Sequence, residues 1–122
     1  MIMLDTNAAI YYLQNDPKTI AVIGRLRRNQ QSFMISTITE LEIFSFSSLT
    51  IEQVVPIDLW LQELNIVPPD STIARLGAQL RRQYHLKTPD ALIAATAIRY
   101  GAPLLTRDKS FRKLKELRVL PC

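Results

Sequence analysis

Apolar residues fall along this chain in two alternating patterns. "MIML" (residues 1 to 4), "SFMIS", "NIVPP", "PLLT" and "RVL" are short apolar or β-branched runs closed by polar or turn residues, which predicts strands. Between them, apolar positions recur at helical spacing. "NAAIYYL" predicts a short helix that stops near "NDP". In "KTIAVIGRLRRNQ", Ile20, Ile23 and Leu26 share one face, while Arg25, Arg27 and Arg28 turn to water. "TITELEIFSF" predicts a helix despite its β-branched residues. Pro56 interrupts "SSLTIEQVVP", so a helix is expected to restart at Ile57 and run through "IDLWLQEL". Ile73, Leu76 and Leu80 mark one face of a helix capped by Asp70 or Ser71. "TPDALIAATAIRYGA" puts Thr88 at a cap, Pro89 at the first helical position and Gly101 just past the end. "KSFRKLKEL" reads as a short basic helix.

Strands and helices therefore alternate. Crossovers of this length favour an α/β fold: a central parallel sheet of four to five strands with helices on both faces. A chain of 122 residues predicts a single domain, 1–122, large enough to bury its core without covalent staples. In such sheets, ligands bind beyond the carboxyl ends of the strands.

Composition narrows the chemistry. Cys122 is the only cysteine and His85 the only histidine, so a metal site here takes oxygen ligands, which suits Mg²⁺ or Mn²⁺ rather than Zn²⁺. The net charge of +4 mildly favours polyanionic partners. No basic-then-apolar leader precedes the first strand, and the run around "ALIAATAI" is too short to cross a bilayer. The expected location is the cytoplasm, with no membrane partner.

The positions of the acids then matter. Asp5 ends the first strand, and Asp108 follows the fourth, in "LLTRD". Glu42 lies about two turns into the helix after the second strand, and Asp90 is the second residue of its helix. Singly, each has a local use: Asp5 as a helix cap, Glu42 on a solvated face, Asp90 as a partner of the helix dipole, Asp108 in a turn. Together they fall at one edge of a sheet. Clustered carboxylates repel one another and tend to take up protons; a hard divalent cation keeps them ionised. One or two Mg²⁺ ions, about 4 Å apart when paired, serve phosphodiester hydrolysis by activating water and stabilising the leaving oxygen. Thr6, Asn7, Ser36 and Thr106 stand where a second layer of hydrogen bonds would orient these acids, Ser36 and Thr106 being equally suited to turns.

"LDTN", "ISTITELEI", "TPDALIAATA" and "LLTRDKSF", in this order and spacing, resemble the PIN-domain ribonucleases, and among them the VapC toxins of toxin–antitoxin pairs. "TPDALIAATA" followed soon by "LLTRD" is the most specific part. The resemblance covers most of the chain and implies a PIN-like fold and a Mg²⁺- or Mn²⁺-dependent endoribonuclease. Its acids map to Asp5, Glu42, Asp90 and Asp108, all catalytic and metal-holding, with Thr6, Asn7 and Thr106 in supporting positions. Glu42 follows a Ser-x-x-Thr-x-x pattern through Ser36 and Thr39. Glu40 is its rival: the two point to nearly opposite sides of a helix, and periodicity does not choose between them. The resemblance also implies an RNA substrate such as tRNA or rRNA, a cognate antitoxin and a homodimer. Two features depart from the family. Glycine is absent from "EIFSFSS" after Glu42, and the segment from there to "NIVPP" is short, which bears on dimer geometry and RNA choice.

Arg107 and Lys109, beside Asp108, are the preferred candidates for RNA contact. His85 reads as a surface residue. Trp60, Tyr11 and Tyr12 read as core or interface residues before base-stacking ones, and the tyrosine pair with the helix after Pro56 is a candidate self-contact surface. Two other functions remain open. One is a receiver-type phosphoacceptor domain, although Asp5 lacks the adjacent acid such a site needs and "SFMIS" ends without an aspartate. The other is a PIN-like module that binds RNA or protein without cutting.

Overall fold

The computed structural model describes residues 1–122. Strand β1 (Ile2–Leu4) is apolar at every position and lies at the centre of the sheet, covered on both faces. Helices α1 (Thr6–Leu13) and α2 (Pro17–Arg28) lead to β2 (Phe33–Ser36). Helices α3 (Thr37–Phe44) and α4 (Ile51–Leu61) lead to β3 (Asn65–Val67). Helices α5 (Ser71–Tyr84) and α6 (Thr88–Arg99) lead to β4 (Leu104–Leu105), and a 3₁₀ helix (Lys109–Lys113) precedes β5 (Val119–Leu120). All pairings are parallel, in the order β3-β2-β1-β4-β5. The chain thus winds outward from β1 in one direction and then in the other. The crevice between β1 and β4 is the switch point where α/β sheets place ligands.

The strand pleat divides the core in two. Met3, Met34 and Leu104 face a layer built with α5, α6 and the 3₁₀ helix, through Ile73, Ile93 and Phe111. Ile2, Leu4, Phe33, Ile35 and Leu105 face the opposite layer, with Ile23, Ile43 and Trp60. Helix α5 packs on α6 with Gly77 facing the Ala91 backbone, where a Cβ would stand in ordinary contact, 3.5 Å from the Ala91 carbonyl oxygen. Gly101 adopts φ +63° just past α6, a left-handed stop that a side chain would strain. No helix is long and apolar enough to cross a membrane.

Three local expectations change. Helix α4 begins at Ile51 and runs through Pro56 to Leu61, rather than starting at Ile57 and reaching Leu64. A capping box between Thr50 and Gln53 starts it early. Pro56 removes one bond near that exposed end, while Ile57, Trp60 and Leu61 bury the rest. Helix α6 is capped at Lys87, so Thr88 and Pro89 lie inside it and Asp90 becomes its third residue, not its second. In α2, Thr19 is buried and Ile20 is exposed, the reverse of the apolar pattern. Thr19 is drawn in because its hydroxyl donates to Asp16 at 2.9 Å. The reading of these aromatic residues as core or interface agrees with their packing: Tyr12 stacks on Trp60 with ring centroids 4.8 Å apart, and Tyr11 lies under Arg107.

Candidate active site

Asp5 leaves β1 in extended backbone and caps α1, accepting the Ala8 N–H at 2.7 Å. Its second oxygen accepts the Thr106 hydroxyl, which comes from the end of β4. Only 4% of Asp5 is exposed. Burial pushes its carboxyl up from the usual aspartate range; the Thr106 and Ala8 bonds oppose this, and the charges of Asp108 and Asp90 add to it. The Thr106 hydroxyl also accepts the Asp108 N–H at 2.9 Å, so one threonine ties the first acid to the segment carrying the last.

Asp108 itself is exposed and caps the 3₁₀ helix, accepting the Ser110 N–H at 2.9 Å. Asp90 stands half-buried in the first turn of α6. Burial raises its carboxyl first, followed by repulsion from Asp108 and Glu42, with Lys87 acting the other way. Glu42 is half-buried on α3, where its Oε1 accepts the Thr6 hydroxyl at 2.7 Å. Thr6 and Thr39 hydroxyls also meet at 3.0 Å. It is Glu42, not Glu40, that reaches across to α1 and feels Asp90.

The acids therefore form a chain of mutual repulsion, Asp5 and Asp90 each with Asp108, and Asp90 with Glu42. No three of them meet closely enough to hold an ion as the side chains stand. The donor set nevertheless fits a hard divalent cation: carboxylate oxygens at the mouth of a switch-point crevice, with no soft ligand among them. A cation there would offset the repulsion and the burial cost together.

The PIN domain family model matches residues 2–117. The chain belongs to the PIN-domain family. The protein named Ribonuclease VapC1 from Haemophilus influenzae strain R2866 is 32% identical over 126 residues, covering 95% of this chain and 93% of its own length. Its counterpart from strain 86-028NP matches equally. VapBC2 from Rickettsia felis, solved bound to a DNA fragment from its promoter, has a TM-score of 0.85 at 25% identity, covering 100% of this chain and 99% of that one. VapBC-1 from nontypeable H. influenzae has a TM-score of 0.79 at 29% identity, covering 99% and 98%. Membership in the PIN family displaces the receiver-type alternative.

In this PIN chain the supporting residues divide. Thr6 and Thr106 contact the acids. Ser36 caps α3 through the Ile38 N–H at 3.1 Å and is a helix-start residue. Asn7 is exposed. Arg107, the candidate for RNA contact, is bonded within the protein to Asp16, Thr19 and Cys122. Lys109 remains exposed. Thr39, which meets Thr6, and Lys87, whose charge acts on Asp90, lie beside the acids. Thr39 carried a signal, as the middle residue of the Ser-x-x-Thr-x-x pattern. Lys87 carried only its place before the acidic first turn. His85 is exposed at the end of α5, in a left-handed conformation.

Proposed function

We propose that residues 1–122 form a single nuclease domain, a Mg²⁺- or Mn²⁺-dependent endoribonuclease acting in the cytoplasm as the toxin of a toxin–antitoxin pair. The observation that carries this reading is the buried Asp5 tied through Thr106 to the Asp108 segment, with half-buried Asp90 repelled nearby, at the switch-point edge of a PIN fold. Their discomfort without a counter-charge is that of a cation site. The curated relatives are named ribonucleases and the structural neighbours are VapBC complexes, which supports RNA, such as tRNA or rRNA, as substrate and a cognate antitoxin as partner.

Asp5, Glu42, Asp90 and Asp108 would hold the cation, directly or through water. Thr6 orients Glu42, and Thr106 orients Asp5. When bound, the cation eases deprotonation of the attacking water and neutralises charge on the leaving oxygen. Lys109 and Lys87 offset phosphate charge near the acids. The carboxylates need no covalent attachment to RNA: water attacks phosphorus in line and gives up a proton to solvent, the P–O bond to the leaving oxygen breaks, and that oxygen takes up a proton from solvent.

Glu42→Gln is expected to lower Mg²⁺-dependent cleavage by more than the roughly 10–100-fold typical of losing an outer partner. Glu40→Gln should leave it nearly unchanged. Single-turnover cleavage of a defined RNA checks both. Equal losses, or a loss at Glu40 alone, would reject this ligand set.

The homodimer forms, in this reading, through the bare outer face of α4, where Ile51, Val55 and Leu59 are exposed. Leu59→Glu places charge on that face and should give a monomer in sedimentation equilibrium. A dimer that persists would exclude this face.

A further inference from the structure

Arg107 gathers distant parts of the chain onto one guanidinium. Its Nη2 pairs with the Asp16 carboxylate and donates to the Thr19 hydroxyl at 3.1 Å. Its Nε donates to the Cys122 carbonyl oxygen at 3.0 Å. Its Cζ lies 4.2 Å from the Tyr11 ring centroid, in cation–π range. These partners belong to α1, the start of α2 and the segment after β5. Asp16 is itself held in place, capping α2 through the Thr19 N–H at 3.0 Å.

The neighbours of Arg107 explain the use of such an anchor. Thr106, one residue before, donates to Asp5; Asp108, one residue after, faces Asp5 and Asp90 across unfavourable charge. The Asp108 side chain is exposed, and its backbone is held by the Thr106 hydroxyl and a 3₁₀ turn. We infer that Arg107 is a positioning residue: its bonds to Asp16, Thr19 and Cys122 clamp the segment from Thr106 to Asp108 so that the Asp108 backbone is already fixed beside Asp5, and only side chains must close, when a cation arrives. The planar fork suits this task, since one side chain satisfies several fixed acceptors at once. Preorganisation of this kind lowers the cost of gathering like charges at the moment of binding. The role rests on the nuclease reading above, but its test does not depend on cleavage.

The rival use of Arg107 is a phosphate contact, and the two uses predict opposite behaviour at Asp16. Asp16→Asn keeps an oxygen for the Thr19 N–H but loses the charge that holds Arg107. If Arg107 clamps the segment, Asp16→Asn and Arg107→Gln both weaken Mn²⁺ uptake in calorimetry by about 10–100-fold. Affinity for a short RNA in EDTA, and its salt dependence, then stay at wild-type values. Arg107→Lys, which keeps the charge but loses the fork, weakens uptake as well. Melting curves confirm that each variant is folded before comparison. If Arg107 contacts phosphate, Arg107→Gln leaves Mn²⁺ uptake intact and reduces the salt slope of RNA binding by about one. Asp16→Asn then frees the arginine and does not weaken RNA binding. That pattern, or a wild-type chain that takes up no Mn²⁺, overturns the proposal. A wild type that takes up Mn²⁺ but cuts no RNA would sink the nuclease reading alone, and the uptake of the variants would still decide the clamp.

Discussion

Asp5→Asn abolishes RNA cleavage and, with divalent cations removed, raises the melting temperature. The first effect follows from the central place of Asp5 between α1, Thr106 and the other acids. Losing a direct ligand should exceed the roughly 10–100-fold loss that follows removal of an outer partner. The second effect follows from burial. Asp5 is an acid whose folded pKa lies above its unfolded value of 3.8. The folded state therefore holds the proton more tightly, and stability from this group falls as pH rises from that value through the raised one. At neutral pH the metal-free protein carries the full penalty. Asparagine removes the charge but keeps an oxygen for the Ala8 N–H and an amide for the Thr106 oxygen. Asp16 tilts the other way: bonds from Thr19, then Arg107, hold its carboxyl below the usual range. Its contribution is present at neutral pH and lost as pH falls through its lowered folded value. The difference between wild type and variant isolates Asp5, and it should shrink as the solution is made acidic. Adding Mn²⁺ should reverse the order, since only the wild type gains fully by mass action. Thermal melting in EDTA across mildly acidic to neutral pH checks this. A variant that melts below the wild type in neutral EDTA would count against it.

Phe111→Ala should cost about 3–5 kcal/mol, a large share of the stability of a domain this size. Phe111 is 1% exposed and lies in the 3₁₀ helix, where it packs into the layer containing Met3, Leu104 and Leu114. Its N–H also donates to the Asp108 carbonyl at 3.4 Å. The ring therefore roots the segment carrying the last acid. Truncation leaves a cavity beside β4 and loosens Asp108 in the same stroke. Urea unfolding reads the first consequence. Mn²⁺ affinity, measured where the variant remains folded, reads the second and should weaken. A stability change within about 0.5 kcal/mol, ordinary for a surface site, would show that the ring is not the anchor.

These two residues differ in how they could be read. Asp5 carries its cap and its strand end in four consecutive letters, so its position at the sheet edge was legible. Phe111 sits in a basic stretch, "KSFRKLKEL", where nothing local marks it as the segment's root. Glu42 and Glu40 illustrate the same limit. Both fit an α-helix, and the choice depends on which one meets Thr6, a residue on another helix. Arg107 shows a related limit. Its neighbour Asp108 suggested phosphate contact, while its actual partners, Asp16, Thr19 and Cys122, lie far off along the chain.

The chain's own pattern sufficed for the alternating strands and helices, the parallel sheet, and caps such as Asp5, Asp70 and Gly101, because each depends on residues within a turn or two of one another. Tertiary structure alone decided how the acids are spaced and tethered and what Arg107 ties together. The contacts that do this join residues 36, 91 and 101 positions apart. Their energies depend on which strands lie side by side, and periodicity along a single chain does not encode that order.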